Sequence, residues 1–210
     1  MKVLIDDNIQ EYTPEQIAQW TAELPEWRRE QVLRYKHDAG RRQSLLAYRL
    51  LCKGLREEYG ITEPPTFEYN EHGKPFLMHN AQCIMHNIEA VPYFSLSHCR
   101  EAVACIIDDE PCGIDIECVG RRVANSIIRY SMDEREQSII RESDNPQLAF
   151  LHLWTRKEAV LKLMGTGIRD TMKDVLRDSP YHIETHEADR WVMSLATCGH
   201  RAMNLATVAH

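Results

Sequence analysis

Two acidic residues, Asp115 and Glu117, stand two positions apart in the apolar run GIDIE at 113–117. In a β-strand, residues two apart point to the same face, so both carboxylates would project together while the isoleucines face the core. Neighbouring carboxylates repel each other, and a hard cation such as Mg²⁺ relieves that repulsion because it prefers oxygen ligands. The pattern therefore fits either a metal site or an edge strand with a solvated acidic face.

A second pattern, WTRKEAVLK at 154–162, places Glu158 and Lys162 four residues apart, which is one side of a helix. Glu158 could be a third metal-binding carboxylate or a general base, and Lys162 could meet a phosphate. A plain surface Glu–Lys pair has the same spacing and contributes only about 0.2–0.5 kcal/mol.

Three weaker patterns offer phosphate donors. FSLSH at 94–98 ends a predicted strand in the hydroxyl of Ser97 and the imidazole of His98. GKP at 73–75 holds Lys74 out at a turn that Pro75 stiffens. Guanidinium groups match phosphate geometry, and the N-terminal third contains a cluster of them: Arg28, Arg29, Arg34, Arg41, Arg42 and Arg49. Singly, each pattern also fits an ordinary strand end, a hairpin turn or a solvated helix face.

Histidine and cysteine patterns predict no zinc site. His182 and His186 are four apart, but their segment has strand character and lacks the H-E-x-x-H order of helical zinc sites. The chain has 7 cysteines without a C-x-x-C pair, so we expect buried thiols in a reducing cytoplasm and no disulfide framework.

The elements that must position these residues are a mixture of helices and short strands, which predicts an α+β fold. Predicted helices open at 13–15 and 24–26 and cover 38–59, 123–142 and 148–164; predicted strands cover 1–5, 66–69, 93–97, 102–107, 112–118, 181–184, 191–195 and 202–208. The acidic turn at 108–111 predicts a hairpin between its flanking strands. It also divides the chain into an N-terminal lobe, 1–108, and a C-terminal lobe, 109–210.

Composition excludes several classes of protein. The length of 210 residues allows one domain or two small ones, and 43% hydrophobic content suffices for a core without disulfides. The formal net charge of −7 argues against bulk binding to nucleic acid. No apolar run approaches the ~20 residues of a membrane span, and the N-terminus is too short for a signal-peptide core, so we expect a cytoplasmic protein without a membrane partner.

The order of the four motifs, G-K-P, F-x-L-S-H, G-I-D-I-E and W-x-x-K-E-A-x-x-K, resembles the 4′-phosphopantetheinyl transferases of the larger single-chain type. The resemblance covers roughly residues 24–168. It implies two similar lobes related by a pseudo-two-fold axis, each an antiparallel sheet packed with a long helix, with coenzyme A in the cleft between them. It also implies a monomer that transfers the phosphopantetheine arm of coenzyme A to a serine of an apo acyl or peptidyl carrier protein, releasing adenosine 3′,5′-bisphosphate.

The resemblance assigns roles to individual residues. Asp115, Glu117 and Glu158 would bind Mg²⁺ or Mn²⁺, and Glu158 and Lys162 would be catalytic. Whether Glu158 is base, ligand or both stays open. The implied contacts to coenzyme A are Arg28, Arg42, Ser44, Lys74, Pro75, Ser97, His98, Asp115, Glu158 and Lys162. Because carrier-protein recognition helices are typically acidic, a basic patch should receive them; the candidates are Arg121, Arg122, Arg129 and the helix around 127–140.

The chain departs from the family pattern at three positions. Ser95 stands where Asn is more usual, Cys99 where Ser is common, and Thr166 where Lys is frequent. The last change removes a positive charge, but none removes a carboxylate, so we expect an active enzyme. Two alternatives stay open: a non-catalytic coenzyme A-binding protein on the same fold, and an unrelated Mg²⁺-dependent nucleotide hydrolase.

Overall fold

The computed structural model describes residues 1–78, 91–167, 172–200 and 203–207. Its helices are α1 (Pro14–Ala22), α2 (Glu26–Leu33), α3 (Asp38–Tyr59), α4 (Asn125–Ser131), α5 (Glu134–Glu142) and α6 (Pro146–Met164). Its strands are β1 (Lys2–Asp6), β2 (Phe67–Tyr69), β3 (Pro75–Leu77), β4 (Tyr93–His98), β5 (Val103–Asp108), β6 (Cys112–Cys118), β7 (His182–Glu187), β8 (Trp191–Thr197) and β9 (Asn204–Thr207). The predicted α+β class is confirmed.

Local chemistry fixes several helix ends. Thr13 forms a capping box with Gln16 at the start of α1. The two long helices α3 and α6 end at Gly60 and Gly165, both in the left-handed region with φ of 69°. The predicted helix at 123–142 is in fact two helices, because Asp133 caps a new helix start with its own capping box.

The strands form two main sheets and a small ribbon. The first sheet has the order β4-β5-β1-β9 and the second the order β6-β8-β7, while β2 pairs with β3. All pairs are antiparallel except β1 with β9, which run parallel. The first sheet is therefore not wholly antiparallel: β9 arrives from the distant end of the chain, and a crossover of that length allows parallel pairing.

The predicted hairpin between β5 and β6 is wrong, because the two strands belong to different sheets. The backbone N–H groups of Ile114 and Ile116 on β6 instead donate to the hydroxyls of Ser95 and Ser97 on β4, at 3.3 and 3.2 Å. These side-chain bonds join the edges of the two sheets. The lobe division at 108/109 stays a prediction.

The molecule is layered in the order α3, first sheet, second sheet, α6. The face of α3 that carries Leu46, Leu50 and Leu55 packs on Leu4 and Ile107 of the first sheet. The other face of that sheet, with alternating residues such as Val3 and Ile106, meets second-sheet residues including Ile114, Ile116, Met193 and Leu195. On the far side, α6 covers the second sheet. Among the described residues, no helix combines the length and apolar content that crossing a membrane requires.

Candidate functional site

Close packing of α6 on β6 brings the acidic strand and the Glu–Lys helix together. A Cβ atom at Gly113 would overlap the backbone oxygen of Ala159 and the backbone nitrogen of Leu163. Only glycine therefore allows the helix to approach this closely. The alternation of β6 sends Ile114 and Ile116 into the core between the sheets, so Asp115 and Glu117 point to the α6 side, as the sequence predicts.

Asp115 is the centre of the cluster and is only 6% exposed. Its Oδ1 lies 2.7 Å from Lys162 Nζ and accepts a hydrogen bond from the Ser97 hydroxyl at 2.8 Å. Its Oδ2 is buried and has no hydrogen-bond partner among the described residues. One oxygen is thus held by the protein, and the other is available to a ligand.

Glu158 lies beside this pair on α6. Burial, and then the negative charge of Asp115, raise the pKa of Glu158 to about 7, although Lys162 acts in the opposite direction. Glu158 Oε1 is buried and unpartnered among the described residues. A carboxyl group with this pKa can accept a proton at neutral pH.

Glu117 lies at the outer end of β6, where the Arg121 guanidinium reaches its two carboxylate oxygens at 2.9 and 3.0 Å. Burial, and then Asp115, raise the pKa of Glu117, and Arg121 opposes them. Arg121, predicted as a carrier-protein contact, therefore also neutralises a predicted metal ligand.

A cleft of about 240 Å³ opens beside Glu158 and Lys162. Its walls are β4, the C-terminal half of α6 and the turn before β3, including Lys74, Pro75, Glu158 and Lys162. The G-K-P turn docks on the end of α6, because Lys74 Nζ donates to the Leu163 carbonyl at 3.2 Å. Burial lowers the pKa of this ammonium group. Three of the four motifs thus line one cleft.

The F-x-L-S-H motif, which lines the cleft through Phe94 and Leu96, also supplies Ser97 and His98 at the end of β4, whereas the G-I-D-I-E residues are not part of the cleft lining. The Ser97 hydroxyl is engaged by Asp115 and by the Ile116 N–H. The His98 side chain is partly exposed at the surface. Partial burial of its ring, and then the positive charge of Lys162, lower the pKa of the imidazole. Their predicted contacts with coenzyme A stay predictions.

Arg28 and Ser44 form a separate pair beside α3. Arg28 Nη2 donates to the Ser44 hydroxyl at 2.9 Å and to its carbonyl at 2.7 Å, and the guanidinium lies 4.9 Å from the Tyr48 ring centroid. Neither residue lines the cleft over Glu158. Arg42 instead donates to the Ile9 carbonyl at 3.0 Å, tying α3 to the loop after β1.

Comparison with known proteins supports the resemblance. A family model described as the 4′-phosphopantetheinyl transferase superfamily matches residues 111–208, which include Asp115, Glu117, Glu158 and Lys162. A 4′-phosphopantetheinyl transferase of Bacillus subtilis is 27% identical over 190 residues, covering 81% of this chain and 80% of the relative. The transferase AcpT of Salmonella typhimurium is 28% identical, with 75% and 77% covered, and psf-1 of Bacillus pumilus is 32% identical, with 60% and 52% covered.

The chain is similar to the 4′-phosphopantetheinyl transferase superfamily over residues 111–208, and to named transferases over most of its length. The expected resemblance is therefore confirmed. The ligand and catalytic assignments made from the motifs stay predictions.

The prediction of a metal site at Asp115, Glu117 and Glu158 rests on the chemistry of their carboxylates, because their ligand atoms do not converge on one point. Within the described ranges, three potential ligand atoms lie within 4.8 Å of one another at His182, Glu184 and His200, and the predicted carboxylates form no such group. Lys162 and Arg121 bind two of those carboxylates directly.

One residue of the W-x-x-K-E-A motif has a role that the sequence did not reveal. Lys157 is fully buried, and its Nζ lies 2.7 Å from Glu136 Oε2 on α5. It also donates to the carbonyls of Ser131 and Met172, at 3.0 and 2.8 Å. Lys157 therefore anchors α4 and α5 to the helix that carries Glu158. A lysine in the motif indicated charge, but nothing local indicated burial.

Proposed function

We propose that the chain transfers the 4′-phosphopantetheine arm of coenzyme A to a serine hydroxyl of an apo acyl or peptidyl carrier protein. The observation that carries the proposal is the cleft that brings Glu158 and Lys162 together with the G-K-P turn, with the buried Asp115 ion-paired to Lys162 behind it. The named transferases among its relatives support the same reaction.

The reaction exchanges one phosphorus–oxygen bond for another. The serine oxygen of the carrier forms a bond to the phosphorus that bears the pantetheine arm. The bond from that phosphorus to the bridging pyrophosphate oxygen breaks, and its electron pair leaves with adenosine 3′,5′-bisphosphate. Glu158 takes the proton of the serine hydroxyl, directly or through a water, which its pKa of about 7 allows near neutral pH.

Asp115, Glu117 and Glu158 are the residues that would hold Mg²⁺ or Mn²⁺, whose charge would stabilise the pyrophosphate oxygens as the bond breaks. The donor set fits such an ion, because carboxylate oxygens are hard ligands and two of them, Asp115 Oδ2 and Glu158 Oε1, are buried without a hydrogen-bond partner in the described part of the chain.

The basic side chains bind and orient the phosphates. Lys162 forms an ion pair with Asp115 and lines the cleft, where it would bind an incoming phosphate. Lys74 brings a second ammonium group to the wall of the same cleft. Arg28 and Ser44 are assigned to the 3′-phosphate; the Nε of Arg28 is buried and unpartnered among the described residues, so the pair retains donor capacity.

The proposal also includes two related lobes, a monomeric state and a cytoplasmic location. Each main sheet packs against one long helix, α3 or α6, which supports two related lobes in a monomer. The odd number of cysteines and their spacing without a C-x-x-C pair support a reducing compartment such as the cytoplasm.

The test is the intact mass of an apo acyl carrier protein after incubation with this protein, coenzyme A and Mg²⁺. We expect the carrier to gain one phosphopantetheine only when metal is present. Glu158→Ala and Glu117→Ala should abolish the gain, and Glu15→Gln, an exposed carboxylate on α1, should leave it unchanged. No gain with fatty-acid, polyketide and peptide carriers, while coenzyme A still binds, would instead identify a non-catalytic coenzyme A-binding protein. Hydrolysis of coenzyme A without an acceptor would identify a hydrolase.

A further inference from the structure

The strand β7 presents one polar, histidine-rich face. Its opposite face is occupied: Ile183 packs against residues of α6, and the Thr185 hydroxyl lies 2.9 Å from the Ser194 hydroxyl. Because side chains alternate along a strand, His182, Glu184 and His186 share the other face. That face is turned away from α6 and therefore from Asp115 and Glu158.

A third histidine joins this face from the turn after β8. The Thr197 hydroxyl donates to the Gly199 carbonyl at 2.8 Å, and the next residue, His200, places its ring centroid 4.5 Å from that of His182. One potential ligand atom each from His182, Glu184 and His200 lies within 4.8 Å of the others.

The hydrogen bonding within the group leaves ligand capacity unused. Glu184 Oε1 lies 2.8 Å from His182 Nε2, and Glu184 Oε2 lies 3.7 Å from His186 Nε2. The latter nitrogen is buried and has no hydrogen-bond partner among the described residues. Ion pairs with Glu184 account for His182 and His186, but not for the convergence of His200 on the same group.

Two imidazoles and a carboxylate are the ligand set of a transition-metal ion rather than of Mg²⁺. Tetrahedral Zn²⁺ with ligands at about 2.0–2.1 Å separates its ligand atoms by about 3.3 Å. The ligand atoms of the observed group, within 4.8 Å of one another, are close to that spacing.

We propose that His182, Glu184 and His200 bind one divalent transition-metal ion, with Zn²⁺ as the best chemical match, and that His186 or water is the fourth ligand. The ion ties β7 to the turn after β8, and β7 has a free edge within the described part of the sheet. Binding to the folded chain alone stabilises it. The site is separate from the predicted catalytic metal and does not depend on the proposed transfer reaction.

The test uses the full chain without a histidine tag, with reduced thiols and saturating Mg²⁺. Zn²⁺ binding is measured by calorimetry, and Co²⁺ is used as a spectroscopic probe of tetrahedral coordination. We expect one ion per chain and a rise in Tm with Zn²⁺. His182→Gln and His200→Gln should each weaken binding at least about tenfold. His152→Gln is the matched control, because His152 is a half-exposed histidine that pairs with Glu187 at 2.8 Å outside the group.

Circular dichroism establishes that each variant is folded, and His200→Gln changes an exposed residue only. The proposal is overturned if the wild-type chain binds no stoichiometric Zn²⁺. It is equally overturned if His182→Gln and His200→Gln bind Zn²⁺ as tightly as His152→Gln does, because the ion then binds elsewhere.

Discussion

At the scale of single residues, the three acidic side chains of the site have different neighbours. Asp115 has one oxygen held by Lys162 and Ser97, Glu117 is neutralised by Arg121, and Glu158 is left without a cation of its own beyond the partial influence of Lys162. Burial and the charge of Asp115 raise the pKa of both glutamates, but only Glu117 has an arginine bound to its carboxylate. The environment, rather than residue type, makes Glu158 the candidate base.

Replacing Glu158 by Gln should stabilise the ligand-free protein at high pH. Below pH 4.5 the carboxyl is neutral in both folded and unfolded chains, so the substitution changes little. As the pH rises from 4.5 through about 7, the unfolded carboxyl ionises before the folded one, and the wild type loses stability. We expect Glu158→Gln to raise the free energy of unfolding by about 1–2 kcal/mol at pH 8 after solvent screening, measured by urea denaturation.

Glu15→Gln is the control for this effect. Its own backbone N–H and Thr13 lower the pKa of Glu15, so Gln should give no gain at pH 8. An equal gain in both variants would mean that burial beside Asp115 is not the cause.

Arg121 and Arg122 are both exposed arginines in one short segment. Charge reversal at the two positions should nevertheless affect carrier binding and the chemical step differently. Arg122→Glu should raise the KM for the carrier about fivefold, because a rim charge contributes about 1 kcal/mol, and should leave kcat unchanged. Arg121→Glu should also lower kcat, because it removes the partner of Glu117 and adds a repelling charge. Steady-state kinetics at saturating coenzyme A measure both, and identical effects of the two substitutions would contradict this division.

At the scale of elements, the close approach of α6 to β6 determines where Glu158 and Lys162 lie relative to Asp115. Gly113→Ala would force this helix away from β6, since the added Cβ meets backbone that cannot rotate aside. We expect a loss of about 1–3 kcal/mol in stability. Activity should fall by about 100-fold, because displacement of Glu158 and Lys162 by about 1 Å misaligns the reacting groups. Gly199→Ala is the control, because nothing lies within 4 Å of the added atom; a Gly113→Ala enzyme with normal kcat would contradict the argument.

The buried side chain of Lys157 on α6 links this helix to α4 and α5 through an ion pair and hydrogen bonds. Lys157→Met should cost about 3–5 kcal/mol, because it leaves the Glu136 carboxylate and three backbone carbonyls without their buried partner. Adding Glu136→Gln should recover part of this loss. Lys173→Met, at an exposed lysine, should be nearly neutral in the same urea titration. Similar costs at both lysines would show that the buried network contributes nothing.

At the scale of the whole molecule, the two main sheets share one apolar interface. Side chains from β1 and β5 pack directly on side chains from β6 and β8, and β9 returns the chain to the first sheet. The halves 1–108 and 109–210 are therefore joined by packing as well as by the chain.

This shared interface should make unfolding a single transition. Trp20 and Trp27 report on the first half, and Trp154 and Trp191 on the second. We expect tryptophan fluorescence and circular dichroism to give coincident urea curves. Ile116→Ala, at the interface, should shift both curves by about 2–5 kcal/mol. Two separate transitions, or a shift in only one signal, would show that the halves fold independently.

Periodic and local signals in the sequence were sufficient for most of the elements, although β3 was not predicted and the helix predicted at 123–142 is two helices. Helix α3 has the predicted bounds, 38–59, because its apolar stripe and terminal Gly60 are local features. The spacing of Asp115 and Glu117 on β6, and of Glu158 and Lys162 on α6, placed each pair on one side of its element for the same reason.

Only the tertiary structure decided which elements meet. A short acidic turn predicted that β5 pairs with β6, yet β6 pairs with β8 and meets β4 through serine hydroxyls. The buried Lys157, the bond between Arg121 and Glu117, and the convergence of His182 with His200 share this origin. Sequence spacing determines which face of an element a side chain occupies, because backbone geometry repeats locally. Partners across elements are set by packing between residues far apart in the chain, which no local repeat encodes.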